Sequence, residues 1–446
     1  MAKPSDSRRD FLLQGGVAAA ALVAGGSALA EEHRPGQEKA GKSKRDDAGY
    51  PRYEPGRGGP VGSPTDRGKL VPGLRESGLP PVPLTTPDLP KLPFKLVDGV
   101  KEFHLRPMPV AREFLPGQTF HFYGYNGSMP GPTIEVNQGD RVRVVVHNEL
   151  PEATTVHWHG LEGPNNMDGI PFVTQKPIAP GETMVYEFTV HQATSLIYHA
   201  HLAMQEAIGM VGMFVSHPRT AYDPAVDQDF GLLLQQFSID AASNITNTIS
   251  MDWNYLTING RCGPLTTPLV VKLGHRIRIR LFNFSTLHQH PIHFHGHTGW
   301  LTGTEGGRIP ESAWIPCNTA RVGIGEVREI EFVANNPGDW VMHCHMFHHM
   351  MNHMVSQVGP HIRGKSLDEH GHVAGFPQNM EGMTPMAPAA MRKILGRREV
   401  AGMREGWHQG VAGMFTVIRV LPEELYNRVT SGDGSIPAGA SVFPHA

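Results

Sequence analysis

Two stretches of this chain repeat one another, and the repeat limits the folds open to it. Gly139 opens GDRVRVVVHN and Gly274 opens GHRIRIRLFN, each alternating polar with apolar residues and closing on an asparagine, Asn148 and Asn283. A period of two is the pattern of a strand with one buried face. The likeness continues in the same order downstream. HWHG at 157–160 matches HFHG at 293–296, IAPGETMVYEFTV from Ile178 matches VGIGEVREIEFVA from Val322, and HAH at 199–201 matches HCH at 343–345. Self-similarity of this length implies two homologous units. Short runs rich in Val, Ile, Thr and aromatics between Gly, Pro and Asn turns make each an all-β sandwich. The predicted units are 92–218 and 219–425, followed by a C-terminal tail at 426–446.

What precedes them reads differently. Arg8 and Arg9 stand ahead of an alanine-rich apolar run that closes on Ala28, Leu29 and Ala30. This is the pattern of a twin-arginine export signal at 1–30, giving a periplasmic or extracellular protein; Gln14 and the glycines of the run argue against a lasting membrane span. Residues 31–91 are rich in Pro, Gly and charge with almost no apolar periodicity, and are expected to form a flexible tether. The formal charge is −3 and no basic block marks the folded region, so neither nucleic acid nor an anionic membrane is called for. Cys262 and Cys317 are open to pairing or to remaining buried free thiols.

Cys344 has a different part. It lies in HCHMFHHMMNHM at 343–354, five histidines, four methionines and one cysteine among twelve residues. A thiolate at Cys344, an imidazole at His349 and a thioether at Met354, with a second imidazole from His290 in HPIHFHGH, form the donor set of a blue-copper centre: two histidines and a cysteine with a weak axial methionine. On an extended strand the two histidines of an HxH pair share a face and the middle residue points away. Eight imidazoles, from His157, His159, His199, His201, His293, His295, His343 and His345, can therefore converge on one cluster while Cys344 faces the other way and binds a separate metal. Zinc, satisfied by four ligands, does not need this many. At the positions of His290, Cys344, His349 and Met354 the first unit carries Thr154, Ala200, Gln205 and Met210, so it has lost three of the four blue-copper ligands.

Over roughly residues 117–354 these motifs together resemble the multicopper oxidases, the family of laccase, ascorbate oxidase and ceruloplasmin. The resemblance implies two cupredoxin-like Greek-key domains and about four coppers per chain. It implies a type 1 copper on His290, Cys344, His349 and Met354, a type 2 copper on His157 and His293, and a type 3 pair on His159, His199, His201, His295, His343 and His345. It further implies one-electron oxidation of phenols, aromatic amines or low-valent metal ions coupled to four-electron reduction of O2 to water. Asp168, in MDGIPFVTQ, matches an acid that assists proton delivery near the type 2 copper, although Asp before Gly is also a common turn former. Some members carry a second acid directly after the type 1 histidine, where this chain has Met350. Two domains, with type 1 ligands only in the second, resemble the small subgroup that forms homotrimers with clusters between chains.

The chain departs from its own repeat at 355–409, a stretch inserted between Met354 and the last strand. Its methionines and histidines suit Cu(I) collection, or else an ordinary loop with a small satellite core and a short helix near 389–398. Two other functions compete with the oxidase. A copper-storage or resistance protein needs no cluster histidines and no bridging cysteine, and a copper nitrite reductase would keep its type 1 ligands in the first domain.

Overall fold

The computed structural model describes residues 73–350 and 388–441, except 203, 241, 242, 252, 409–412 and 434. The export signal, most of the tether, Met354 and most of the insertion lie outside the described residues.

The repeat in the sequence is a repeat in topology. In the first domain Val100–Leu105 runs parallel to Arg141–His147, which pairs antiparallel with Thr183–Thr189. In the second, Gln228–Phe237 runs parallel to Arg276–Asn283, which pairs antiparallel with Val327–Val333. The facing sheets also correspond, strand for strand. Ile134–Asn137, Val211–His217, Ser195–His199 and His157–His159 lie side by side in that order, as do Leu269–Lys272, Phe415–Leu421, Gly338–Cys344 and His290–Phe294. The registers agree too: His199 stands opposite His157, and His343 opposite His293.

Alternation decides what fills each sandwich. Val142, Val144 and Val146 point inward to meet Trp158, Tyr186, Phe188 and Phe214, all buried. Ile277, Ile279 and Leu281 do the same against Phe294, Phe332, Met342 and Ile418. Each such side chain contributes about 1.5–3 kcal/mol by leaving water, so a one-residue slip in either strand would turn the set outward and is excluded.

The domains pack through a strand that has no solvent face. Every residue of Val211–His217 is buried, because its outer side meets the second domain: Ile197, Val211, Met213 and Val215 pack with Leu233, Phe282 and Val327. A buried ionic group closes the same interface. Ser195 donates its hydroxyl to Glu329 at 2.7 Å, and Arg280 reaches Ser195 at 2.6 Å, Glu329 at 2.8 Å and Asp229 at 2.7 Å. Charges taken out of water need such mutual partners.

Three expectations change. Residues 73–91 belong to the folded body rather than to a tether: Leu84–Thr85 pairs with Gln228–Phe237, and Leu84 is 1% exposed. Low apolar periodicity hid a segment held by a few anchors, among them the Leu84 N–H on Glu135 at 2.8 Å. The C-terminal tail is also docked. The helix Glu423–Ser431 crosses the expected boundary and buries Val429 beside Leu421, and Ser441 bonds Gly402 at 3.0 Å. Of the insertion, residues 388–408 dock on the fold through a few buried side chains. The helix Pro388–Leu395 sinks Ile394 among Phe114, Phe120 and Tyr255, while Met403 is buried against Phe415 and Val417. Among the described residues no disulfide joins Cys262 to Cys317.

Candidate metal centre

Three donors of the predicted blue-copper set meet in the second domain. Cys344 Sγ lies 3.3 Å from His349 Nδ1 and 3.6 Å from His290 Nδ1, and the two nitrogens are 3.1 Å apart. All three residues are buried. Ser285, unnoticed in the sequence, holds the ring: its hydroxyl lies 2.6 Å from His290 Nε2, and with Nε2 as the donor Nδ1 keeps a lone pair facing the sulfur. Burial holds the His290 imidazolium well below its usual range, with His349 and His288 adding to the effect. It pushes the Cys344 thiol up to about 12. Lone pairs gathered in an apolar pocket suit a cation, and a soft metal fits the sulfur.

Met354 lies outside the described residues, but Met414 occupies the place that Met210 holds in the first domain. Cys344 N–H donates to Met414 O at 3.0 Å and Met414 N–H to His349 O at 2.9 Å, as Ala200 N–H does to Met210 O at 3.1 Å and Met210 N–H to Gln205 O at 3.2 Å. Met414 is fully buried in the core that holds Cys344. The insertion therefore separates His349 from the position equivalent to Met210. A methionine ten residues after the cysteine masked this in the sequence.

The first domain fills its lost site with hydrogen bonds. Thr154 Oγ1 donates to Gln205 Oε1 at 2.7 Å, and Gln205 Nε2 reaches Ala153 O at 2.8 Å. Ala200 and Met210 close the space as core residues.

The eight cluster histidines form two groups of four. In the first domain His157 is within 5.2–5.9 Å, ring to ring, of His159, His199 and His201. In the second, His293 is within 4.6–5.7 Å of His295, His343 and His345. Among the described residues no ring contact joins the two groups, so the single cluster expected from the HxH pairs is not assembled inside one chain. Domain packing explains this. The first group faces the other sheet of the second domain, where Phe284 touches His199 at 4.6 Å and Gly325 lies beside His159. His295 and His345, by contrast, open to solvent.

Backbone carbonyls choose the nitrogen each group presents. His157 Nδ1 donates to Asp168 O at 2.7 Å, His199 Nδ1 to Ala200 O at 2.8 Å, His293 Nδ1 to Asn318 O at 2.7 Å and His343 Nδ1 to Cys344 O at 2.9 Å. The Nε2 atoms are left inward, that of His199 buried with no protein partner; His295 and His343 bring theirs within 3.2 Å of each other. Burial, with neighbouring imidazoles, lowers the pKa of His159, His295 and His343, and also that of His157, although the Asp168 carbonyl opposes the shift there. Neutral imidazoles are the ligating form.

Asp168 sits where the motif placed it, its carboxylate 3.4 Å from His157 Nδ1. Gly169 makes this possible. At φ +84° it lies so close to the strand that an added Cβ would strike Val156 O. Glu206 is an acid the sequence reading missed, 3.2 Å from His199 Nδ1 and held below its usual range by that hydrogen bond, although burial opposes the shift. It follows Gln205 as Met350 follows His349, so the acid sought in the second domain stands at the equivalent place in the first.

Known proteins share these features. Residues 109–221 and 236–360 each match a family profile described as multicopper oxidase, together more than half of the chain. Laccase-1 of Fomitopsis schrenkii is 39% identical over 178 residues, covering 36% of this chain and 32% of that protein. Copper resistance protein A of Escherichia coli is 32% identical over 134 residues, 30% of this chain and 22% of that one. The chain thus spans well under half the length of these relatives. The blue copper oxidase of Nitrosomonas europaea superposes with a TM-score of 0.56 at 26% identity, over 73% of this chain and 86% of that one. With both halves of the repeat matched, the chain belongs to the multicopper oxidase family.

Proposed function

We propose that this protein is a copper-dependent, laccase-like oxidase that takes single electrons from a small reductant and reduces O2 to water. The observation that carries the reading is the strand Gly338–Cys344 and the residue after it. Cys344 turns into a buried group with His290 and His349, while His343 and His345 turn to the opposite side and join His293 and His295. A covalent path of one residue therefore links the two centres.

His290, Cys344 and His349 would hold the type 1 copper, with Met354, which lies outside the described residues, or Met414 as the fourth donor. His157 and His293 would hold the type 2 copper, and His159, His199, His201, His295, His343 and His345 the type 3 pair. Copper at these places supplies the redox chemistry: electrons collected singly at Cys344 pass in fours, with four protons, to O2 and yield two waters. Around it the protein's own groups fix imidazole tautomers through carbonyls, exclude water from Cys344, and keep Asp168 beside His157 as the proton source.

The two histidine groups complete one another only if chains associate, each first domain facing the second domain of a neighbour in a closed homotrimer. Large apolar side chains beside both groups support this: Phe172 and Val173 follow Asp168, and Phe347 follows His345, each more than 70% exposed. Arg8, Arg9 and the apolar run behind them support export by the twin-arginine route. Oxygen uptake with a phenolic donor, copper content per chain and the mass in solution together test the reading. A copper-loaded monomer with full activity would contradict the shared cluster.

A further inference from the structure

The docked part of the insertion encloses a space of its own. Residues between 395 and 408, with the segment that follows the helix Glu423–Ser431, wall a cavity of about 710 Å³, within the size range of small-molecule sites. Val400 and Met403, each 5% exposed, and Ile436 give it an apolar floor, and Trp407 lines it half-buried. The first domain has no counterpart, because both walls come from stretches outside the repeat.

The cavity stands apart from the blue-copper donors. Val400 and Met403 pack on Phe415, Val417 and Val341, whereas Met342 and Cys344 turn the other way, into the core of the second domain. The cavity is therefore on the far side of that sheet from Cys344, and none of its described lining residues is a proposed copper ligand.

Its charges do not balance. Arg398 pairs with Glu399 at 2.9 Å and Asp433 with Arg428 at 3.0 Å, so these two wall residues are compensated. Arg397 is half-buried and donates to the carbonyls of Ile394, Leu265 and Pro264, with no carboxylate in contact among the described residues. Burial holds it below its usual range, although Asp88 and Glu399 oppose the shift. Arg404 is exposed and has no ion pair among the described residues. Burial also lowers the pKa of His408, which adds no charge at neutral pH. Glu405 is the one acid of the lining left to set against Arg397 and Arg404.

We propose that this cavity binds an aromatic carboxylate, its ring against Trp407 and Met403 and its carboxylate on Arg404. An indole and a thioether both favour ring contacts, and a guanidinium takes a carboxylate through two parallel hydrogen bonds. A small hydrated anion would leave the apolar floor uncovered, and a neutral ring would leave Arg404 unmatched. The site does not depend on the oxidase reading.

The test is calorimetric titration of the copper-loaded full chain with phenylacetate, which has no phenolic hydroxyl to oxidise, beside phenylacetamide and acetate. Phenylacetate is expected to bind with a Kd of about 0.1–1 mM, and the other two at least about tenfold more weakly. Arg404→Glu should weaken phenylacetate by at least about tenfold, while Arg392→Glu, which reverses an exposed charge outside the cavity, should stay within about twofold of wild type. Both variants should keep the blue band. No saturation below about 10 mM, equal binding of acid and amide, or equal effects of the two charge reversals would overturn the site. Phenylacetate binding to a chain without oxygen uptake would leave the site standing and overturn the oxidase reading alone.

Discussion

Cys344 donates its backbone N–H to the carbonyl of Met414 across 3.0 Å, in the same way that Ala200 donates to Met210 in the first domain. That bond holds the thioether-bearing residue next to the thiol even though a long insertion separates them in the chain. Met414→Leu should therefore raise the reduction potential of the blue site and shift its absorption, since the axial ligand tunes both. Met354→Leu should change neither. The opposite pattern, read by redox titration of the blue band, would return the axial role to Met354.

Asp168 stands 3.4 Å from His157 Nδ1 while its own carbonyl fixes that ring. Asp168→Asn keeps the carbonyl and the turn but removes the ionisable group. Reoxidation of the fully reduced enzyme by O2 should slow on the order of a hundredfold, as for loss of a general acid, with the blue band intact. Unchanged reoxidation sinks the proton role.

Copper uptake should depend on pH through one thiol. Cys344, pushed up to about 12 by burial, is protonated in the apoprotein at neutral pH, and binding must release that proton. Apparent affinity at this site should then rise about tenfold per pH unit through the neutral range. The buried His290 stays neutral there and adds no opposing slope. Titration of apoprotein followed at the blue band measures this, and Cys344→Ser should abolish the band. A pH-independent affinity would contradict the buried thiol.

Glu135 anchors the segment that leads into the first domain. Burial alone would raise its pKa, but bonds from His217, Lys91 and the Leu84 N–H outweigh that and bring it down to about 2. A depressed carboxylate stabilises the fold above its unfolded pKa and loses that contribution as pH falls toward the folded value. Glu135→Gln should thus cost about 1–2 kcal/mol at neutral pH, because solvent around the partly exposed Lys91 screens the interaction. The gap from wild type should close as the pH falls from about 4.5 to about 2. Denaturant unfolding at several pH values reads it, and a gap that does not depend on pH would assign the effect to packing.

Much of the centre was legible because its spacing is local. Two residues on one strand share a face wherever the strand goes, so the HxH pairs, the opposed Cys344 and the order of strands follow from chain stereochemistry and the repeat. Glu206 was legible in principle too, as the residue after Gln205, since the repeat by itself sets Gln205 in the position of His349.

What remained undecided depends on contacts between residues far apart in the chain. Met354 and Met414 are both methionines near the right motif, and the bonds from Cys344 and to His349 put Met414 where Met210 stands in the first domain. Eight histidines on four strands are compatible with one cluster or two. The apolar contacts of Ile197, Met213, Phe282 and Val327 turn the first group toward the wrong sheet of its own second domain and so leave each chain with two halves. Alternation along a strand is set residue by residue, whereas the choice of which face meets which is made by the whole core, and that choice belongs to the tertiary structure.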